Sequence, residues 1–211
     1  MYFIAVYTNK VKEYCDKKFF ENLKKAGGDI FVVDNSKDIS YTERLRKFGL
    51  NVEHILVDYY PRNTLFQRNV THSVNLLRDK FLDSKYKHFI IVESDVIVPV
   101  NLIELFEEAM PKANDWAAIG GLYHRGFHNF QRAGIDYILQ THHVLSGCAI
   151  YNRDALERFK FRWSWENIGA FPDAWWCHDI NHKTDKKLYD YHKIVCEHLE
   201  KGFNDRGHKD L

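Results

Sequence analysis

The chain of 211 residues has no apolar run long enough to cross a bilayer, no C-x-x-C pair, no Gly-rich phosphate loop and no surplus of charge of one sign. Each absence removes a class of protein. Without the long apolar run, no membrane-spanning helix is expected. A formal net charge of +1, with acids and bases intermixed, leaves no broad basic face to neutralise a phosphate backbone, so nucleic acid is not an expected partner. Lys24–Lys25 and Lys186–Lys187 stand beside acids and read as solvated faces. The opening residues, MYFIAVYTN, lack a basic segment and a small-residue cleavage site, and they alternate as a strand does rather than as a signal peptide. Cys15, Cys148, Cys177 and Cys196 are spaced for free thiols in a reducing, cytoplasmic compartment. His124 and His128, like His178 and His182, are four apart, but no H-E-x-x-H or cysteine pair accompanies them, so zinc is not expected. After the first strand comes TNKVKEY, with no glycine. That argues against a Rossmann dehydrogenase and against a sugar nucleotidyltransferase, whose triphosphate needs a Gly-rich basic loop there.

What is present is an ordinary globular composition, 45% hydrophobic and 28% charged, without repeat or linker. Apolar runs of strand length alternate with segments of helical period. The pattern predicts one α/β domain over 1–211, with a central, mainly parallel but mixed sheet of about six strands flanked by helices. Strands are expected at Tyr2–Tyr7, Ile30–Asp34, His54–Val57, Phe89–Val92, Ala117–Leu122 and Leu145–Tyr151. Helices are expected at Val11–Lys25, Tyr41–Phe48, Asn69–Leu82, Asn101–Met110 and Asp185–Glu200.

Ligands of such sheets bind beyond the carboxyl ends of the strands. The first predicted strand is followed by Thr8 and Asn9, the second closes in Asp34-Asn35-Ser36, and the fourth in Glu93-Ser94-Asp95. Two carboxylates one residue apart at a strand end can share a hard divalent cation, and such a cation can neutralise a diphosphate leaving group. Asp34 can accept hydrogen bonds from a ribose hydroxyl or a base N–H. Arg68, at the start of an amphipathic helix, can face an anion, and Arg62 is a second cation for that role. Each feature alone has a plainer explanation: an acid-x-acid triplet marks many turns, Asn-Ser is turn chemistry, and arginines are commonly solvated.

Taken in order, VVDNS (Val32–Ser36), QRN (Gln67–Asn69) and IIVESDVIVP (Ile90–Pro99) resemble the N-terminal half of nucleotide-sugar-dependent glycosyltransferases of the GT-A fold. The resemblance covers roughly Met1–Arg153. It implies a nucleoside contact at Asp34, with Thr8, Asn9 and Ser94 beside it, and Arg68 toward the donor. It implies manganese or magnesium on Asp95 and Glu93, although Glu93 departs from the usual Asp-x-Asp. Residues 1–110 would bind the nucleotide and 111–211 would face the acceptor. The length and residue style are also similar to the small UDP-sugar-using glycosyltransferase domains of large chlorella viruses, which would place the chain in host cytoplasm and point to retention of configuration. In the second half, LSGCAIYNRDALERF (Leu145–Phe159) resembles the acceptor-side strand, where Gly147 would let a sugar approach the backbone. Trp163–Lys183 holds four of the five tryptophans, rings that stack on sugars or plug a core. In inverting members an acid here takes the acceptor proton. Asp179 is the first candidate, with a helix N-cap as its competing role, and Asp173 is the second. A C-terminal histidine, His198 or His208, would add a metal ligand. The expected activity is metal-dependent transfer of a sugar from a UDP-sugar to a carbohydrate or glycoprotein acceptor, with a non-catalytic carbohydrate-binding module as the alternative from another class.

Overall fold

The computed structural model describes residues 1–56, 64–123, 133–164 and 171–199. In chain order the strands are β1 (Tyr2–Thr8), β2 (Asp29–Asp34), β3 (Asn51–His54), β4 (His88–Val92), β5 (Val96–Ile97), β6 (Trp116–Tyr123), β7 (Ile138–Thr141), β8 (Cys148–Tyr151) and β9 (Lys187–His198). The helices are α1 (Asp16–Leu23), α2 (Ile39–Lys47), α3 (Thr64–Leu82), α4 (Leu102–Ala109), α5 (Arg153–Arg158) and α6 (Pro172–Lys183). All these strands join one mixed sheet in the order β3-β2-β1-β4-β8-β6-β9-β5, with β7 also on β9. From β3 to β4 every pairing is parallel. Beyond β4, β8 runs antiparallel to β4 and β6, and β9 returns parallel to β6.

Strand alternation sorts the apolar side chains into two layers. On one face Ile4, Val6 and Val32 pack with Phe19, Phe20, Tyr41 and Leu45 from α1 and α2. On the other, Phe3, Ala5 and Val33 pack with Val70, Val74, Leu77 and Phe81, one apolar stripe of α3. Each fully buried large aliphatic or aromatic side chain contributes roughly 2–3 kcal/mol, so α3 is held chiefly by this face. Gly120 and Gly121 let neighbours close over β6. A Cβ on Gly120 would meet Val144 Cγ1 at 2.8 Å, and one on Gly121 would meet Ile194 Cγ2 at 2.5 Å.

The six expected strands and the early helices fall close to observed elements, with β3 displaced toward Asn51. The sheet gains β5, β7 and β9 beyond them. The segment predicted as a helix over Asp185–Glu200 is strand β9. Leu188, Tyr191, Val195 and Leu199 match a helical period, but Leu188, Asp190, His192, Ile194 and Cys196 are buried at every second position, with fully buried Tyr191 the one break in that alternation. Pairing with β6 on one edge and with β7 and β5 on the other decides in favour of the strand. The register of β6 on β9 shifts between Gly120 and Leu122, which face Asp190 and Val195. This bulge reverses the phase of β9, so Leu188 joins the α3 layer and Ile194 and Cys196 the α1 layer. Asp179 was expected just before a helix; it lies well inside α6, so an N-cap role is excluded.

Candidate active site

Strand β4 ends at Val92, and Glu93-Ser94-Asp95 forms a turn closed by Val96 N–H donating to the Glu93 carbonyl at 2.9 Å. A turn, rather than continued strand alternation, is what sets the two carboxylates together. Gly147 accepts the Glu93 N–H at 3.0 Å, which ties this turn to the start of β8. Strand β9, paired through its last residues with β5, adds His198. One oxygen each from Glu93 and Asp95 and one ring nitrogen of His198 lie within 4.8 Å of one another. His198 Nε2 is 3.4 Å from Asp95 Oδ2. His208, the other histidine considered, lies outside the described residues, as does Arg62.

The two acids are held differently. Glu93 Oε1 accepts from Tyr7 OH at 2.9 Å and from Ser146 Oγ at 3.1 Å, so its carboxylate is oriented from both sides. Burial, followed by the Glu93 charge, pushes the Tyr7 phenol well above its ordinary pKa, which keeps it a donor. Asp95 is only 2% exposed, its Oδ2 pairs with the Lys12 ammonium, and its Oδ1 is buried without a hydrogen-bond partner.

A cleft runs from these acids past Ser94, Lys12, Asn9 and Thr8 to Asn35. Phe66 and Phe171, whose rings meet edge-on at 6.2 Å, form part of its wall. Asn9 Nδ2 donates to Asn35 Oδ1 at 2.8 Å, and Asn35 Nδ2 donates to Ser73 Oγ at 3.1 Å, fixing the Asn35 amide at the cleft end. Thr8 Oγ1 is 3.3 Å from Tyr41 OH, which donates to buried Asp16 Oδ1 at 2.7 Å.

Of the residues singled out from sequence, Thr8, Asn9, Glu93, Ser94 and Asp95 line this one cleft. Asp34 does not. It is fully buried, accepting from Ser36 N at 2.8 Å and from Thr42 Oγ1 at 2.5 Å, and so it shapes the turn while its neighbour Asn35 reaches the cleft. Arg68 falls one turn inside α3 rather than at its start. It is exposed in a second groove with Asn69, Thr71, His72, Asn75 and Trp163. On α3, Phe66 and Val70 face the acidic cleft and Arg68 and His72 do not, as residues two apart on a helix must diverge.

Asp179 is paired with Arg162 at 2.8 Å and Lys183 at 2.8 Å. Burial opposes its charge, but these two cations outweigh burial and hold its pKa at about 2. Asp173, in the first turn of α6, sits differently. Its Oδ2 accepts from Ser146 N at 3.2 Å, its Oδ1 from Ala174 N at 2.9 Å, and His143 Nε2 is 3.7 Å away. Ser146 thus touches Glu93 with its hydroxyl and Asp173 with its amide. Burial raises the Asp173 carboxyl, yet His143 and the two N–H groups more than offset this and leave it below the ordinary value. Lys12, Tyr7 and Ser146 escaped the sequence reading, and Asn35 was read there as turn chemistry. Asn35 and Lys12 were visible as polar residues following strands, whereas Ser146 shows its role only through tertiary contact.

No protein-family model and no curated protein sequence matches the chain. Solved structures do. TarS of S. aureus in complex with UDP-GlcNAc superposes with a TM-score of 0.64 at 12% identity, covering 95% of this chain and 60% of that one. The mannosyltransferase PcManGT from Pyrobaculum calidifontis, with GDP-Man and Mn2+, gives 0.64 at 15% identity over 98% of this chain and 58% of that one. GalNAc-T7 with UDP, GalNAc and Mn2+ gives 0.65 at 11% identity over 95% and 44%. The chain therefore spans about three-fifths of the length of the first two. At these identities the likeness is one of fold, and the fold is that of the GT-A nucleotide-sugar glycosyltransferases.

Proposed function

We propose that the protein is a metal-dependent glycosyltransferase that moves a sugar from a nucleoside diphosphate donor, a UDP-sugar in the first instance, to a hydroxyl of a glycan acceptor. The observation that carries this reading is the Glu93–Asp95–His198 cluster at one end of a cleft whose other end is Thr8, Asn9 and Asn35. A diphosphate can join a cation at one end of a cleft to a nucleoside at the other. The donor set fits an ion. Two carboxylates and an imidazole suit Mn2+ better than Mg2+, and the buried, unpartnered Asp95 Oδ1 is an oxygen set aside for a cation. When bound, the ion supplies charge neutralisation to the departing diphosphate.

The chain's own residues do the rest. Tyr7 and Ser146 orient Glu93, and Asn9 fixes Asn35 toward the base end. Asp173 accepts the acceptor-hydroxyl proton. What favours it over Asp179 is its link to Glu93 through Ser146, whereas Asp179 is engaged by Arg162 and Lys183 and lies six residues, roughly 9 Å, further along α6. A base of this kind implies a single displacement with inversion. Residues 1–110 form the donor side and 111–211 the acceptor side of one domain, with His198 crossing back to the metal. The four buried free cysteines favour a reducing, cytoplasmic compartment. Among the described residues no helix is long and apolar enough to cross a membrane.

The test is thermal shift with UDP, GDP and CMP, each with and without Mn2+, in the wild type and in Asp95→Ala. One nucleotide is expected to stabilise the wild type only with metal, and the variant, folded by circular dichroism, is expected to lose that response. A wild type indifferent to all three nucleotides with Mn2+ present overturns the transferase and leaves a carbohydrate-binding module.

A further inference from the structure

Once Arg68 is assigned to the outer groove, one lysine or arginine side chain remains among the described residues lining the acidic cleft, and it is Lys12. Its backbone is pinned. Asn9 caps the 3-10 turn Lys10–Lys12 by accepting from Val11 N at 3.3 Å, and Lys12 N donates to the Asn9 carbonyl at 2.8 Å. The Lys12 carbonyl in turn accepts from Cys15 N at 3.0 Å. Only the side chain is free to move, and it is 28% exposed where its partner Asp95 is 2% exposed. The ammonium lies on Asp95 Oδ2, the same oxygen that faces His198. A divalent ion that draws on both Asp95 oxygens, the open Oδ1 and the Oδ2 that faces His198, meets the ammonium at Oδ2, where the two positive charges repel.

We propose that Lys12 is an exchanging cation. It neutralises Asp95 while the metal is absent, and it swings to the donor's diphosphate when the metal takes Asp95. This rests on the transferase reading and extends it to a residue that reads the diphosphate. Four methylenes between backbone and charge allow the swing without moving the pinned turn, and the compact ammonium suits a phosphate oxygen as a point charge. Lys12 therefore opposes the metal and assists the nucleotide, so that neither is bound well until both are present.

The two effects have opposite signs, which makes the idea testable by binding alone. Lys12→Met keeps the stem and removes the charge. Isothermal titration is made with Mn2+ alone, then with UDP or GDP in saturating Mn2+, and finally with the matching nucleoside. The variant is expected to bind Mn2+ about fivefold tighter and the diphosphate about tenfold or more weaker, with nucleoside affinity unchanged. Lys12→Arg should recover part of the diphosphate affinity. If Lys12→Met weakens Mn2+ and diphosphate together, or changes neither, the exchange is wrong. In that case wild-type binding of the diphosphate with Mn2+ still upholds the transferase, whereas its absence in the wild type overturns both.

Discussion

The parallel half of the sheet, β3-β2-β1-β4, and the mixed half, β8-β6-β9, contribute to the site in different ways. In the first half each group stands within a few residues of a strand's carboxyl end: Thr8 at the end of β1, Asn35 after β2, Glu93 and Asp95 after β4. Parallel strands all end on one edge, so three short turns suffice to build the cleft. In the second half Ser146 precedes a strand, Asp173 opens a helix and His198 closes a strand whose register must be bulged to bring it there. On the proposed transferase reading, binding would thus rest on local turns and turnover on contacts between distant segments. Mutations in the first half should abolish donor binding, and mutations in the second should spare it while lowering rate or metal affinity.

The sharpest break of that rule would come at α6. Asp173→Asn should lower kcat by about 10²–10⁴-fold while leaving the donor Kd near the wild-type value. Asp179→Asn should leave kcat within about threefold and lower stability by about 1–2 kcal/mol, since it breaks a charge-assisted pair whose cations keep access to water. Steady-state kinetics beside urea melts separates the two. If Asp179→Asn is the slower enzyme, the proton acceptor has been placed on the wrong turn of the helix. The anomeric configuration of the first-formed product, read by NMR, checks the same point, because retention is incompatible with Asp173 as base.

The difference between the halves also explains what could be read without coordinates. Strand ends are local, and the residues Thr8, Asn9, Glu93, Ser94 and Asp95 follow from apolar runs alone. Asp34 shows the limit of that reading. It shares the face of Val32, which packs toward α2, so alternation along β2 sends its carboxylate inward to Thr42 and leaves the next residue, Asn35, to the cleft. The residue type pointed to chemistry while the pleat pointed elsewhere. For β9 two periods fitted the same letters, and only its pairing partners, remote in sequence, separate them. His198 and His208 stood equal in sequence for the same reason: nothing near either shows that a bulge opposite Gly120 turns His198 toward Asp95.

A smaller effect is expected at that histidine. His198→Ala should weaken Mn2+ about 10–100-fold, with donor binding restored by excess metal, since Asp95 and Glu93 remain. Calorimetry with Mn2+ alone checks it. An unchanged metal affinity would make the site a product of the parallel half only, and the bulge in β9 would have no bearing on it.

The last predicted effect lies in the mixed half and concerns pH. Asp190 on β9 is buried against Gly120 and near His143, and burial raises its pKa to about 7, with the His143 charge offsetting part of the shift. The unfolded chain gives up this proton near pH 4, so between about pH 4 and 7 the native state holds a proton that the unfolded state lacks. Stability therefore falls as pH rises through that window, by up to about 1.4 kcal/mol per pH unit from this group, and levels off above it. Asp190→Asn removes the term. The difference in unfolding free energy between variant and wild type should grow in favour of the variant from pH 5 to 7 and then stay constant. The opposing group is Asp173, whose lowered pKa adds stability that is lost only on acidification below the usual carboxylate range, so the two carboxyls flanking His143 act in separate windows. A variant that tracks the wild type at every pH would show that Asp190 is ionised throughout.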